Sequence, residues 1–459
     1  MKIQKLDLIK DPIPHLIIRM AIPVSVGFFF HTMFNVVDTY FASQINSIAV
    51  AAITITFPIF FMIIAISSGT RTGATALIAN AEGANNKELA KQYVIQTISF
   101  SIVASIIIMI IGLITAPYLY KILHAEGEYF NFAIQYTNIL LYGCLFIILD
   151  STPTAGLNAV GDTKTYGRVF IIGFFVNLIL DPLFIYGYGP IPPMGVKGIA
   201  YATIFAEFVA TIYVFYRVKK MTSYFDNITL IDFLPKFKNQ YEIAKQAFPA
   251  SINMFAVSAG FFIITFFVSY FPTPETSDVS IAAYGIAIRI EQIILLPAIG
   301  LNFACLSLIG QNYGALKIER IREGYLTCIK YGFILLFVGG LILYYGASFF
   351  MNLFTNDERV ILIGIEYIQI AAFFTPVIGI LNISIALMQG LKMPSFTVFI
   401  SIFKEIIASI IILYIISFYF DFKLKGIWYS ILIVNYFSVI VFLFILNYKI
   451  KSIGIKIFR

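Results

Sequence analysis

Two carboxylates of this chain lie inside long apolar stretches, where a charged side chain has few partners. Asp38 belongs to the first of these stretches, and Asn177 and Asp181 lie four residues apart in a later one. Positions i and i+4 share one face of a helix, so the amide and the second carboxylate point the same way. With the hydroxyl of Thr203 they supply an oxygen-only ligand set, which suits Na⁺ or a proton shared between the acids.

The surrounding sequence is apolar enough to cross a bilayer many times. Hydrophobic residues make up 60% of the 459 residues and charged ones 12%, the mean hydropathy is +0.90, and apolar runs of about 18 or more residues recur. A carboxylate near the bilayer centre costs at least about 2.5 kcal/mol, so Asp38 requires a partner or a function. We expect an all-α polytopic membrane protein.

Gly, Pro and clusters of charge divide the chain into twelve predicted transmembrane helices. They begin near residues 15, 50, 93, 129, 168, 198, 246, 279, 325, 361, 394 and 426. Lys and Arg of the predicted loops lie mainly on the side of the N-terminus, which favours both termini in the cytoplasm and a multi-pass protein of the inner membrane. The net charge of +7 then reflects topology, and no nucleic-acid partner is expected.

The polar residues of the predicted site lie at similar depths in the membrane. Asp38 lies about five residues before the outer end of predicted helix 1, Asp181 about six before that of helix 5, and Thr203 about five after the outer start of helix 6. They share a level in the outer half of the membrane and can meet. If the acids are close, repulsion and desolvation favour a proton between them near neutral pH. The sequence predicts a proton or Na⁺ site at Asp38, Asn177, Asp181 and Thr203, with no other cofactor.

Pro23 lies inside predicted helix 1, upstream of Asp38. A proline removes one backbone hydrogen bond and weakens the helix at that point. We therefore interpret Pro23 as a hinge that responds to the charge of Asp38.

The chain contains a repeat. AIPVSVG with Pro23 recurs as AFPASIN with Pro249, and GVKGIAYA around Gly198 recurs as KLKGIWYS around Gly426. Near-constant offsets predict two six-helix lobes related by a pseudo-two-fold axis along the membrane normal. The N-lobe is predicted at 1–220, a cytoplasmic loop at 221–245 and the C-lobe at 246–459.

The second half places opposite charges close together at membrane depth, as Arg289 with Glu291 and Lys404 with Glu405. Neighbours at i+1 or i+2 do not face each other on a helix, so partners on other helices or a substrate are expected. Weaker candidates are expected to pair at interfaces or between helices: Arg71, Asp150, Glu207 and Glu366. His31, seven residues before Asp38, lies roughly on the same helical face and is a candidate for the same cavity.

Enzymatic and ATP-driven functions find no support in the sequence. It has no GxxxxGK[ST] loop, nucleophile elbow or clustered His and Cys residues, so an ion gradient is the expected energy source. A channel or a structural membrane protein would not need a paired acid site next to a hinge.

Several segments resemble the multidrug and toxic compound extrusion (MATE) family, particularly its prokaryotic DinF-like branch. They are AIPVSVGFFFHTMFNVVDTYFAS, LNAVGDTKTYGR, VNLILDPLFIYGYG with MGVKGIAYAT, IEQIILLPAIGL and GQNYGALKIERIREGY. The resemblance covers essentially the whole chain. One departure is that the usual Gln-Gly before the loop after helix 4 reads Asn158-Ala159 in the first half, although Gln389-Gly390 is present in the second.

The resemblance implies twelve helices in two lobes and export of organic cations against inward flow of protons or Na⁺. The cation site of the DinF-like branch is similar to Asp38, Asn177, Asp181 and Thr203, with a proline like Pro23 at the bend of helix 1. The other main branch keeps acidic ligands in the second lobe, a pattern that Glu291 does not clearly fit, so coupling is expected in the first lobe.

We therefore expect a monomeric multidrug efflux antiporter that works by alternating access and exports lipophilic, often cationic compounds. The alternative is a related flippase for lipid-linked saccharides. Its cleft would need a cationic lining for pyrophosphate, and only Arg71, Arg289 and Lys404 lie within the predicted spans.

Overall fold

The structure, a computed structural model, describes residues 6–123, 125–270, 277–452 and Gly454. This part of the chain is almost entirely helical and contains no strand; one isolated antiparallel bridge joins Tyr188 and Ile191. Twelve of its helices are long and apolar enough to cross a membrane. In chain order, α1 to α12 are Ile13–Ile45, Phe57–Gly83, Lys87–Ile122, Gly127–Ala159, Thr163–Tyr186, Val196–Met221, Phe237–Tyr270, Val279–Gly314, Ile318–Phe354, Glu358–Gly390, Ser395–Tyr419 and Lys423–Lys451.

Outward-facing apolar side chains show why these helices require lipid. On α3, Ile107, Ile110 and Ile114 are each about half or more exposed. They recur at helical spacing and form an apolar stripe that no other part of the described chain covers. Such a stripe is stable against acyl chains and costly against water. The prediction of a twelve-helix membrane protein is confirmed.

Four helices, α2, α3, α7 and α9, begin six or more residues from the predicted positions, and α2 and α7 show the reasons. α2 begins at Phe57 rather than near 50, because a separate short helix, Ser47–Ile55, precedes it. Pro58 lies in the first turn of α2, where a missing N–H costs little, and it ends the preceding helix at that point. α7 begins at Phe237 rather than near 246, because the polar turns before Pro249 continue the helix beyond its apolar part.

α11 departs from α-helical winding in two places. Phe403–Ala408 and Ile415–Tyr419 are π-helical turns. Each inserts extra backbone into a turn and rotates the side chains that follow, and such turns often occur at functional sites.

Contacts divide the chain into two compact units. The N unit contains Val26–Ser251, and the C unit contains Leu8–Ser25 with the described residues from Ile252 onward. The divisions fall inside α1 and α7, two residues after Pro23 and two after Pro249. These units do not follow the lobe boundaries at 220 and 246, because packing rather than chain order defines them. Those boundaries stay a prediction.

The connection between α6 and α7, residues 222–236, is fastened to the N unit and is called the linker below. Gln96 on α3, 1% exposed, donates to the carbonyls of Asp232 (2.8 Å) and Leu234 (2.9 Å), and its Oε1 accepts the Lys236 N–H at 2.7 Å. Near the other end, the Tyr224 hydroxyl donates to Glu82 at 2.7 Å. Burial, and then the nearby Glu82 carboxylate, raise the pKa of the Tyr224 phenol well above its usual value.

Replacing Gln96 by leucine is expected to release the linker from α3. The change leaves the Asp232 and Leu234 carbonyls and the Lys236 N–H without their partner, at about 1–3 kcal/mol for each group that stays buried. Limited trypsin digestion should then cut after Lys236 faster than in the wild type. Ser223→Ala, an exposed change in the same linker, is the matched control. Equal cleavage rates in all three proteins would contradict the anchoring role.

Candidate functional site

Close approaches of three helices of the N unit bring the predicted site residues together. A Cβ on Gly27 of α1 would lie 2.7 Å from the Cα of Gly167 on α5, and one on Gly198 of α6 would lie 2.7 Å from the backbone nitrogen of Ile185 on α5. Only glycine permits backbones to approach this closely. α1 and α6 are thus both held against α5, the helix that carries Asn177 and Asp181.

Asp38 contacts α6 directly. The Thr203 hydroxyl donates to Asp38 Oδ2 at 3.2 Å, and the same hydroxyl lies 3.1 Å from the carbonyl of Ile199. A hydroxyl has one hydrogen, so Thr203 serves one of these acceptors at a time. Asp38 is 7% exposed and Thr203 4%. The pair joins α1 to α6 in a place sheltered from solvent.

Asn177 and Asp181 form the second half of the site. The Asn177 amide donates to Asp181 Oδ1 at 3.3 Å, as their i, i+4 spacing predicts, and both side chains are fully buried. The Asp181 carboxylate is close enough to that of Asp38 for the two to repel each other. The structure therefore brings together all four side chains that the sequence grouped.

Three oxygens of this group have no hydrogen-bond partner in the described part of the chain: Asp38 Oδ1, Asn177 Oδ1 and Asp181 Oδ2. A buried acceptor without a donor is costly, so it points to a positive group that the protein itself does not provide. A proton on one acid, or a Na⁺ ion among the oxygens, would satisfy them.

The donor set disfavours a transition metal. Within the described residues no three His, Cys, Asp or Glu side chains converge in a way that could hold a metal ion. Two carboxylates, one amide and one hydroxyl are hard oxygen donors, which fit Na⁺ or H⁺ better than zinc or copper.

Tyr136 on α4 is a further member of the group that the sequence did not reveal. It is 6% exposed, lies beside Thr203 and interacts electrostatically with Asp38 and Asp181. With 28 Tyr and 47 Phe in the chain, nothing in the sequence separates this ring from those that only fill space. Its position on α4 closes the site on a fourth side.

A cavity lies beside the site within the N unit. Its polar lining consists of His31, Asn35, Asp150, Thr203 and Glu207, and aromatic rings supply part of the rest. Thr203 is therefore shared between this cavity and the acid pair. His31 lines this cavity together with Thr203, but Asp38 is not among the lining residues, so a cavity shared by His31 and Asp38 stays a prediction.

Comparison with known proteins identifies the family. The sequence model described as MatE matches residues 23–183 and 249–415, which is more than half of the chain. The chain belongs to the MatE family. Its members are transporters and not enzymes. The two matches begin at Pro23 and Pro249, 226 residues apart, which agrees with the predicted duplication.

Relatives and solved structures place this MATE protein among transporters of the family. It is 27% identical to a probable multidrug resistance protein, YoeA of Bacillus subtilis, over 83% of this chain and 81% of the relative. It is 26% identical to a FAD transporter of Shewanella oneidensis over 77% of each chain. A structure described as the outward-facing conformation of a multidrug resistance MATE family transporter superposes with a TM-score of 0.90, at 26% identity and 99% coverage of both chains.

The C unit of this MATE protein satisfies its buried acids internally. Glu291 on α8, 5% exposed, accepts a hydrogen bond from the Tyr367 hydroxyl at 2.6 Å. Lys404 pairs with Glu405 at 2.6 Å. The expectation that these adjacent charges need partners elsewhere is wrong for that pair, because the long, flexible lysine stem folds back within a π-helical turn.

The other charges singled out in the second half are not deeply buried. Arg289 is exposed. Glu366, which is half-buried, pairs with the exposed Lys425 at 3.2 Å. A partly exposed pair of this kind contributes little, about 0–1 kcal/mol. These residues give no sign of a second buried ion site.

The hydrogen bond between Thr203 and Asp38 can be tested by a double-mutant cycle. Thr203→Val keeps the shape but removes the donor, so its destabilising effect should fall by about 1 kcal/mol or more when Asp38 is already alanine. SDS-induced unfolding in mixed micelles measures each free energy. Thr115→Val is the matched control, since this exposed threonine bonds to the Ile111 carbonyl of its own helix. Purely additive effects of Thr203→Val and Asp38→Ala would argue against the contact.

Proposed function

We propose that this MATE transporter is a secondary active multidrug exporter, driven by protons or Na⁺ that bind at Asp38 and Asp181. The observation that carries this proposal is the convergence of two buried carboxylates whose outer oxygens lack partners, with Asn177 and Thr203 beside them. Relatives described as multidrug resistance proteins support multidrug efflux as the cargo side of the exchange.

The site can convert ion binding into movement because its two acids sit on different helices. When both are ionised, α1 and α5 carry like charges at close range in a medium of low dielectric. A bound proton or Na⁺ removes the repulsion and draws the two helices together. Asp38 and Pro23 share α1, and the division between the units falls just after that proline. The state of the acid pair therefore biases the bend of α1.

The export cycle follows from this bias. The inward ion gradient loads the acid pair from outside, and the neutralised pair favours the conformation from which cargo leaves. Release of the ion to the cytoplasm restores the repulsion and resets α1. We further propose that the protein acts as a monomer in the cytoplasmic membrane, with both termini in the cytoplasm, since Lys and Arg cluster on that side of the predicted loops.

The residues that line the N unit cavity disfavour negatively charged cargo. A flippase for lipid-linked saccharides, or a carrier of a dinucleotide such as the one named for the Shewanella relative, has to accommodate phosphate. The charged residues that line this cavity are the carboxylates Asp150 and Glu207. Phosphate would meet like charge there, so lipophilic cations are the better supported substrates.

Replacing Asp38 by asparagine is expected to abolish gradient-driven export and leave folding intact. Asparagine keeps the size and accepts the Thr203 hydrogen bond, but it carries no charge for the ion to neutralise. Export of a fluorescent cation from proteoliposomes should fall to the rate seen without an imposed gradient.

The same assay separates the coupling ions. Imposing a proton gradient and a Na⁺ gradient in separate experiments identifies the ion that drives wild-type export. Glu366→Gln, which removes a half-buried carboxylate of the C unit, is the matched control and should transport like the wild type. Undiminished transport by the Asp38→Asn variant would overturn the proposed coupling site.

A further inference from the structure

The N unit contains a second pair of acids that the coupling site does not use. Asp150 lies near the inner end of α4, between the helical segments Gly127–Leu149 and Ser151–Ala159, and Glu207 lies on α6. Both line the same cavity as Thr203. Thr203 and Glu207 are four residues apart on α6, so one face of that helix presents both to the cavity.

Asp150 has an unmet acceptor. It is 8% exposed, its Oδ1 has no hydrogen-bond partner among the described residues, and its Oδ2 receives only a long bond, 3.5 Å, from Thr154. Glu207 is half-buried. A buried carboxylate oxygen at the wall of a cavity, without a donor of its own, points to a positive group that enters the cavity.

Charges on the neighbouring helices leave the pair with an excess of negative charge. Arg71 on α2 interacts electrostatically with both acids, and its guanidinium lies 4.9 Å from the ring centre of Tyr166 on α5. His31 on α1 is the other titratable group beside Arg71. Two carboxylates face one guanidinium, so the ionised cluster carries a net charge of minus one when His31 is neutral.

The remaining walls suit an apolar, flat body. Phe34, Phe60 and Phe170 line the cavity. Aromatic faces attract organic cations, and they exclude water from the charged group beside them.

We propose that Glu207 and Asp150 bind the cationic group of the transported compound, at a site separate from the acid pair of the coupling site. This inference rests on the proposed function for the identity of the ligand. Arg71 sets the net charge of this site. A net charge of minus one is matched by a monovalent lipophilic cation, whereas the second positive charge of a dication has no negative partner. Thr203 links the cation site and the coupling site, since it lines this cavity and hydrogen-bonds to Asp38.

Equilibrium binding of dyes to the purified full chain in nanodiscs tests the cation site without requiring transport. The probes are ethidium, its dicationic analogue propidium and the neutral dye Nile red, each corrected with empty nanodiscs. Glu207→Gln and Asp150→Asn should each weaken ethidium binding about tenfold, because each removes one charge partner from a desolvated site. Both should leave Nile red binding within about twofold.

Matched variants distinguish charge from structure. Glu207→Asp keeps the carboxylate and should restore most of the ethidium affinity, whereas Glu366→Gln removes an unrelated carboxylate and should change nothing. In the wild type, ethidium should bind more tightly than propidium, a result that needs no variant to fold.

Three outcomes would overturn the inference. They are ethidium binding that survives both substitutions but is lost in Asp38→Asn, equal losses for ethidium and Nile red, and wild-type preference for propidium. None of these affects the proposed function if wild-type proteoliposomes still export against a gradient. Conversely, a wild type that binds ethidium at Glu207 but does not export it removes the proposed function and leaves the cation site standing.

Discussion

The need to neutralise carboxylates inside an apolar helix bundle is the constraint on which the N unit depends. Asp38, Asp181 and Asp150 are each more than nine-tenths buried, where an ionised acid without a partner costs several kcal/mol. Asn177, Thr203 and Thr154 each offer a neutral donor to one acid, which reduces that cost without removing it. The residual cost keeps the acids ready to bind whatever positive group can reach them.

Backbone features of the sequence determine where those acids lie. Gly27 and Gly198 set the distance of α1 and α6 from α5, and so bring Asp38 and Thr203 to the helix of Asp181. The repeat preserves the device: a Cβ on Gly426 of α12 would lie 2.9 Å from the Cα of Ser417 on α11, as Gly198 approaches α5 in the first half. The matching GVKGIAYA and KLKGIWYS segments therefore reflect the close packing of the last two helices in each half.

Features that depend on one helix at a time could be predicted from the sequence. The twelve spans follow from runs of apolar residues, and the grouping of Asp38, Asn177, Asp181 and Thr203 follows from counting residues to the ends of three helices. Tyr136 could not be predicted in the same way, because its role depends on which of many aromatic rings faces Thr203. The convergence of Arg71, Asp150 and Glu207 on one cavity likewise depends on how helices are rotated about their axes. The π-helical turns of α11 and the packing of Leu8–Ser25 with the C unit arise from tertiary contacts that no local pattern encodes.

The two halves of the duplicated chain differ in whether their buried acids have partners within the protein, and this difference affects where an ion can bind. In the C unit, Lys404 pairs with Glu405 and also interacts electrostatically with Glu291, which accepts a hydrogen bond from the Tyr367 hydroxyl, so the protein already supplies a positive group near both acids. An incoming cation would have to displace those partners and would gain little. In the N unit the oxygens of Asp38, Asn177 and Asp181 are still without partners, and a cation there gains the full interaction with two acids. Since an ion can shift a conformational equilibrium only through a difference in its binding energy between states, the unit with unmet charge has the greater capacity to couple ion binding to movement.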